Sequence, residues 1–233
     1  KTIKDIKILS AKSFQDSNGK PFDYAQGLRG RKVLKVWRRA KLLGIDLGIV
    51  SLLFHLKMTG QLIYVFSKEK GKVLAKRGSY DDGKRLVGGH PTLDMRDQMP
   101  NSHTRVIFEF NDKSYLYFND QRKFGWVKVV NSSDLVVDSM LNSLGPEPLE
   151  KGFGWQILKQ NLLRHKSMPV KVALMDQKVV SGVGNIYASE ACFNAKVDPR
   201  IKVKDLTDNQ FKALHRGVVK ALQDGIKYGG STR

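Results

Sequence analysis

The 233-residue chain is long enough for one large domain or two small ones, each with its own core. Its 41 Lys and Arg against 22 Asp and Glu leave a formal net charge of +19, which points to a polyanionic partner: DNA, RNA or an anionic membrane surface. One cysteine, Cys192, excludes an internal disulfide or a Cys-rich zinc site and fits a reducing, intracellular setting, while the best apolar run, residues 49–56, falls far short of a membrane span.

The chain opens on Lys1, and "TIKDIKIL" reads at once as a strand with Ile6 and Ile8 on one face, so the sequence reads as a piece of something longer. "DSNG" at Asp16 is similar to the start of a calcium loop but lacks the later ligands, and a turn is expected. Residues 31–66 offer several strand-length apolar runs that break at Gly44, Gly48 and Gly60. Within them, Arg38, Arg39 and Lys41 form a basic cluster. Alternation along a strand puts Trp37, Arg39 and Lys41 on one side, which suits a phosphate-binding face or an ordinary solvated edge.

Residues 68–101 are polar, Gly-rich and basic, with no sustained period, and predict a long loop. Its His90 and Asp94 are two isolated candidate ligands, too few for a metal, and no metal site is expected. "RVIFEFNDKSYLYF" predicts a hairpin, with Val106, Phe108 and Phe110 alternating, a turn at Asn111-Asp112, and Tyr115 and Tyr117 alternating back. In "NDQRKFGW", residues 119–126, Arg122 and Lys123 stand beside Phe124 and Gly125 on a loop. An exposed Phe among cations suits insertion into a base stack; a Phe folded back onto the core fits the same spacing. Short strands joined by Gly and Asn turns predict a sandwich or barrel for residues 1–130.

A linker is expected over 131–142, and helical periods dominate 143–233. "DQKVVSGVGNIYASEACF" has two glycines that let backbone approach a ligand, followed by a helix beginning at Asn185 whose amides and dipole favour an anion. Asn185 serving only as an N-cap is the alternative. Arg164, Lys166, Lys171 and Lys178 upstream favour a phosphate backbone. "LTDNQFKALHRGVVKALQDGIKYGG" predicts the clearest helix of the chain. Thr207 caps it, Gln210 completes a capping box, Leu206 staples onto Phe211, and Phe211, Leu214, Val218 and Leu222 form one apolar stripe ending before Gly229.

Taken in order, "RRAK", "HLKMTG", "DQRKFGW", "LGPEPL" and "MDQKVVSGVGNIYASEACF" resemble the formamidopyrimidine-DNA glycosylase and endonuclease VIII family over most of the chain outside 68–101. The resemblance implies an α+β fold, with an N-terminal β-sandwich lobe followed by a helical helix–two-turns–helix lobe. It implies a DNA glycosylase with abasic-site lyase activity that removes oxidised bases, of the formamidopyrimidine or 8-oxoguanine type, in base-excision repair. Such an enzyme acts as an intracellular monomer on bent double-stranded DNA with a flipped-out nucleotide.

Carried over by residue, the resemblance makes Lys41 the catalytic lysine that touches the lesion phosphates and donates a proton in β-elimination. Met58, Arg122 and Phe124 become the triad that fills the void left by the flipped nucleotide, with Arg122 bonding the orphaned base. His55, His103, Lys123 and Asn185 hold the DNA backbone, with Lys166 and Lys171 nearby.

The family's nucleophile is an N-terminal proline followed by glutamate in a "PELPE" start, whereas position 1 here is Lys. The family's zinc ion would bind a C-terminal finger that these residues do not include, so no cofactor is expected in this chain. The expectation is therefore the central part of a bifunctional enzyme, which alone binds DNA with a steep salt dependence but releases no base. A non-catalytic nucleic-acid-binding module and a catalytically dead paralogue are the alternatives.

Overall fold

The computed structural model describes residues 1–20, 25–67, 80–81, 85–89, 98–136 and 139–230. The chain divides into two compact units, Lys1–Arg38 with Leu42–Asp138, and Arg39–Lys41 with Ser139–Arg233.

The first unit is a sandwich of two sheets. Its strands are β1 (Ile3–Ile8), β2 (Phe14–Gln15), β3 (Lys35–Arg39), β4 (Leu42–Asp46), β5 (Val50–His55), β6 (Gly60–Val65), β7 (Tyr80–Asp81), β8 (Arg85–Gly89), β9 (Thr104–Phe110), β10 (Tyr115–Asp120) and β11 (Trp126–Asn131). One sheet runs β1-β9-β10-β6-β8-β7 and the other β2-β11-β5-β4-β3. Alternation sends Ile6, Val106, Phe108 and Phe118 of the first sheet against Leu52, Phe54, Val127 and Val129 of the second, and all eight are buried. Phe54 and Phe108 meet with ring centroids 5.9 Å apart, tilted as aromatic quadrupoles prefer.

The expected hairpin is β9–β10, with Tyr117 opposite Ile107. At its turn, Asp112 Oδ1 accepts the Ser114 amide at 3.3 Å, and Lys113 takes the left-handed φ of 61°. The Asp16 segment is likewise a turn, in which Asp16 Oδ1 accepts the amides of Asn18 and Lys20, both at 2.9 Å.

Two expectations change. Gly44 does not break a strand; it lies in the middle of β4. A Cβ there would overlap the Trp37 ring at Cε2, so glycine is required because the indole lies flat on the backbone. Part of the predicted 68–101 loop is also strand. Arg85–Gly89 forms β8 and pairs with β6, placing Val87 opposite Ile63 in a small second core. Only Leu86 and Val87 there are apolar, too short a run to register as a period. His90 and Asp94 lie outside the described residues.

The second unit contains α1 (Ser139–Asn142), α2 (Trp155–Leu162), α3 (Val170–Met175), α4 (Asn185–Ala195) and α5 (Asp208–Tyr228). The capping box of α5 forms: Thr207 Oγ1 accepts the Gln210 amide at 3.3 Å, and Gln210 Oε1 accepts the Thr207 amide at 2.9 Å. Phe211, Leu214 and Val218 are buried against Leu158, Ala188 and Cys192, with Leu222 packed at the margin. Among the described residues, no helix is long and apolar enough to cross a membrane.

Burial pushes the Cys192 thiol up to about 11. An unfolded thiol ionises near pH 8.5, so this burial costs stability only as pH rises from there toward 11. Ellman's reagent at pH 8 is therefore expected to leave native protein unlabelled and to react once denaturant is added. Prompt native labelling would show an open core.

Candidate nucleic-acid interface

In the first unit, the structure brings Met58, Arg122 and Phe124 together. Met58 is 64% exposed and Phe124 53% exposed. Between them, Arg122 Nη1 lies 3.3 Å from Met58 Sδ, and its guanidinium sits 4.9 Å from the centroid of the Phe124 ring. The expectation of an exposed Phe124 holds; the core-facing alternative does not. Each apolar member follows a lysine in the left-handed region, Lys57 at φ 53° and Lys123 at φ 58°. Such residues cost about 1 kcal/mol each, and here they turn the chain so that the next side chain points outward.

The buried carboxylate of Asp120, 0% exposed, ties these two loops to each other. Its Oδ1 accepts the Thr59 hydroxyl and, at 3.2 Å, the Arg122 amide; its Oδ2 accepts the Gly125 amide at 2.6 Å. The Arg122 amide also reaches Thr59 Oγ1 at 3.1 Å. Met58 and the Arg122–Phe124 segment are thus fixed by one acid at the end of β10.

His55 closes β5, where its Nδ1 accepts the Lys57 amide at 3.0 Å and its ring lies 5.6 Å from Trp126. With Nδ1 accepting, a neutral ring carries its proton on Nε2, a donor suited to a phosphate oxygen. His103 sits in the turn before β9, and its carbonyl accepts the Asp120 amide at 2.9 Å. Lys123 is exposed beside Phe124.

In the second unit, Lys41 does not continue a strand with Trp37 and Arg39. Ala40 takes φ 52° and breaks the alternation, leaving Lys41 in the turn between β3 and β4. The turn is anchored by Glu147 of "LGPEPL", which is 8% exposed. Glu147 Oε1 accepts the Ala40 amide at 2.6 Å and Arg39 Nη1 at 3.0 Å. Arg39 also donates to Ser181 Oγ at 2.9 Å and to the Gly145 carbonyl at 2.7 Å.

From this turn, Lys41 Nζ donates to the Val183 carbonyl at 2.8 Å. Val183 lies between Gly182, whose φ of 83° favours glycine, and Gly184. Gly184, not Asn185, is the N-cap of α4, and it brings no side chain to cap the helix. The reading of Asn185 as only an N-cap therefore fails. Asn185 is the exposed first helical residue. The amides of residues 185–187 find no acceptor among the described residues, which leaves the positive end of the helix dipole open beside an ammonium group.

Lys166 is exposed and its carbonyl accepts the Lys204 amide at 3.0 Å; Lys171 is half-buried on α3. No contact joins either of them to Lys41 or Asn185 among those described. Cys192 is buried, and among the described residues no three of His, Cys, Asp and Glu are grouped so that they could hold a metal ion.

The sequence matches the family profile described as Formamidopyrimidine-DNA glycosylase N-terminal domain over residues 1–127, and the Formamidopyrimidine-DNA glycosylase H2TH domain over residues 144–233. The chain belongs to the formamidopyrimidine-DNA glycosylase family. A formamidopyrimidine-DNA glycosylase of Wolbachia sp. subsp. Drosophila simulans is 34% identical over 207 residues, covering 88% of this chain and 64% of its own length. One from Exiguobacterium sibiricum is 31% identical over 233 residues, covering 100% of this chain and 73% of its own length. The chain thus spans somewhat under two thirds to about three quarters of these relatives. Among solved structures, the MutM (Fpg) protein from Thermus thermophilus superposes with a TM-score of 0.73 at 29% identity, over 100% of this chain and 71% of its own. Lactococcus lactis Fpg, solved in complex with DNA containing an abasic site, gives 0.77 at 23% identity, over 99% and 73%, a likeness of fold. The β-sandwich and the helical H2TH lobe are the two parts of this family fold.

Three residues with no role legible in the sequence, Asp120, Glu147 and Gln177, organise the loops of these motifs. Each stands in a motif; Asp120 and Glu147 reach partners far along the chain, Thr59 and Ala40, whereas the partners of Gln177 lie within its own motif.

Proposed function

We propose that this chain grips double-stranded DNA at an oxidised base or abasic site, as part of a DNA glycosylase with abasic-site lyase activity in base-excision repair. The observation that carries this reading is the exposed Met58–Arg122–Phe124 cluster, three side chains stabilised in contact with one another while facing solvent. Met58 and Phe124 are soft and flat enough to restore stacking where a nucleotide has flipped out, and the planar fork of Arg122 bonds the orphaned base. His55, His103 and Lys123 hold the DNA backbone near that wedge. In the second unit, Asn185 and the open N-terminus of α4 take a phosphate, with Lys166 and Lys171 adding charge. Lys41 binds the lesion phosphates and, as an ammonium, hands a proton to the departing oxygen during strand scission.

Fluorescence-anisotropy titration of duplexes with and without an abasic-site analogue tests this. Affinity is expected to fall linearly in log–log form with salt, with a slope of about −0.9 per neutralised phosphate. Phe124→Ala is expected to weaken binding to the abasic duplex about tenfold, the weight of one lost stacking partner, and to change binding to intact duplex less than about twofold. An unchanged affinity for abasic duplex would favour a plain nucleic-acid-binding module.

A further inference from the structure

We infer that Gln177 is a positioning residue: its carboxamide fixes the Val183 carbonyl on which the Lys41 ammonium docks, and so sets that lysine at the start of α4. The inference deepens the proposed function and rests on its reading of Lys41 as a DNA-contacting group. Gln177 uses every polar atom of its side chain. Its Nε2 donates to the Met175 carbonyl and to the Val183 carbonyl, both at 2.8 Å, and its Oε1 accepts the Gly182 amide at 2.9 Å. One side chain thereby joins the end of α3 to the residues that open α4.

The earlier part of this loop has other supports. Asp176 Oδ1 accepts the Lys178 amide at 2.9 Å, Asn161 Nδ2 donates to the Val179 carbonyl at 3.0 Å, and the Ser181 hydroxyl donates to the Pro146 carbonyl at 3.1 Å. Gly182 and Val183 have none of these. Among the described residues their polar groups are held by Gln177 and Lys41 alone, and a glycine on each side of Val183 leaves the peptide planes free to turn. The Val183 carbonyl therefore accepts two donors, one that orients it and one that is oriented by it.

Chemistry restricts what can occupy position 177. The role needs two donors and one acceptor at a set reach. Glutamate accepts from Gly182 but cannot donate to Val183, lysine cannot accept, and asparagine is a methylene too short to span both glycine-flanked groups.

The test has one arm without DNA and one with it. Lys41 in the Gln177→Ala chain is expected to be acetylated by a soluble acylating reagent about fivefold faster than in the parent, while the exposed neighbour Lys178 is unchanged. Equal Lys41 rates, or a parallel rise at Lys178, overturn the inference, because a general loosening would expose both. In titrations with abasic duplex, Gln177→Ala is expected to lower affinity about fivefold in the parent and less than about twofold in a Lys41→Ala background. An equal loss in both backgrounds overturns it, since Gln177 would then act without Lys41. If the parent fails to bind DNA at all, the proposed function fails while the labelling arm still decides whether Gln177 positions Lys41.

Discussion

Asp120→Ala is expected to destabilise the first unit by about 3 kcal/mol, the cost of stranding buried donors that a carboxylate had satisfied. The side chain is fully buried and takes the Thr59 hydroxyl and the amides of Arg122 and Gly125. Alanine leaves the Gly125 amide and the Thr59 hydroxyl proton without that acceptor, and the Arg122 amide keeps only Thr59 Oγ1. A second penalty comes from Arg105, whose guanidinium burial pushes down from its ordinary value while the Asp120 charge opposes that shift. Asparagine is expected to recover only part of the loss, because its amide turns a donor toward groups that are themselves donors. Urea unfolding of the full chain measures this as a lower midpoint at unchanged slope. A midpoint shift worth under about 0.5 kcal/mol would show that Asp120 does not hold the loops. Functionally, the Arg122–Phe124 segment loses its register to Met58, so binding to abasic duplex should fall at least as far as in Phe124→Ala.

Glu147→Ala is expected to cost the second unit about 2 kcal/mol, and to lower DNA affinity although Glu147 is buried and carries the wrong charge to meet a phosphate. Its Oε1 holds the buried Ala40 amide at 2.6 Å and Arg39 at 3.0 Å. The expected figure stays below that for a fully buried ion pair because the Arg39 side chain is 31% exposed and keeps its bonds to Ser181 and Gly145. Loss of the bond to the Ala40 amide supplies most of the cost. Since Ala40 holds the left-handed turn that delivers Lys41, the loss should reach DNA binding through the lysine. Glu147→Gln keeps an acceptor for Ala40 and should retain most of the stability. Thermal unfolding of the three chains, with titrations alongside, checks the order parent, Gln, Ala. Glutamine as damaging as alanine would mean that the charge on Arg39, not the Ala40 turn, is what Glu147 serves.

Much of the architecture could be read along the chain because its causes are local. Thr207 and Gln210 are three residues apart, so their capping box follows from composition and spacing, and the stripe from Phe211 to Val218 follows from the helical period. The β9–β10 hairpin follows from alternation around Asn111-Asp112. The exceptions share one cause. Gly44 reads as a breaker until Trp37 is seen lying on it, and Arg85–Gly89 reads as loop until β6 offers it a partner.

The candidate site divides along the same line. Residue types, order and net charge were enough to mark Arg122, Phe124, Lys41 and Asn185 as groups worth following, because stacking and phosphate binding demand particular side chains, while Met58 and a proton-donor role for Lys41 came only from the resemblance of the motifs to the family. Their placement was not available from that string. Lys41 leaves its strand because Glu147, 107 positions away, holds the Ala40 amide, and Met58 meets Arg122 because Asp120 reaches Thr59 across 61 positions. Periodicity reports on neighbours within a few residues, whereas a buried carboxylate chooses its donors by distance in space. The chemistry of the side chains therefore belongs to the linear chain, and their geometry belongs to the folded one.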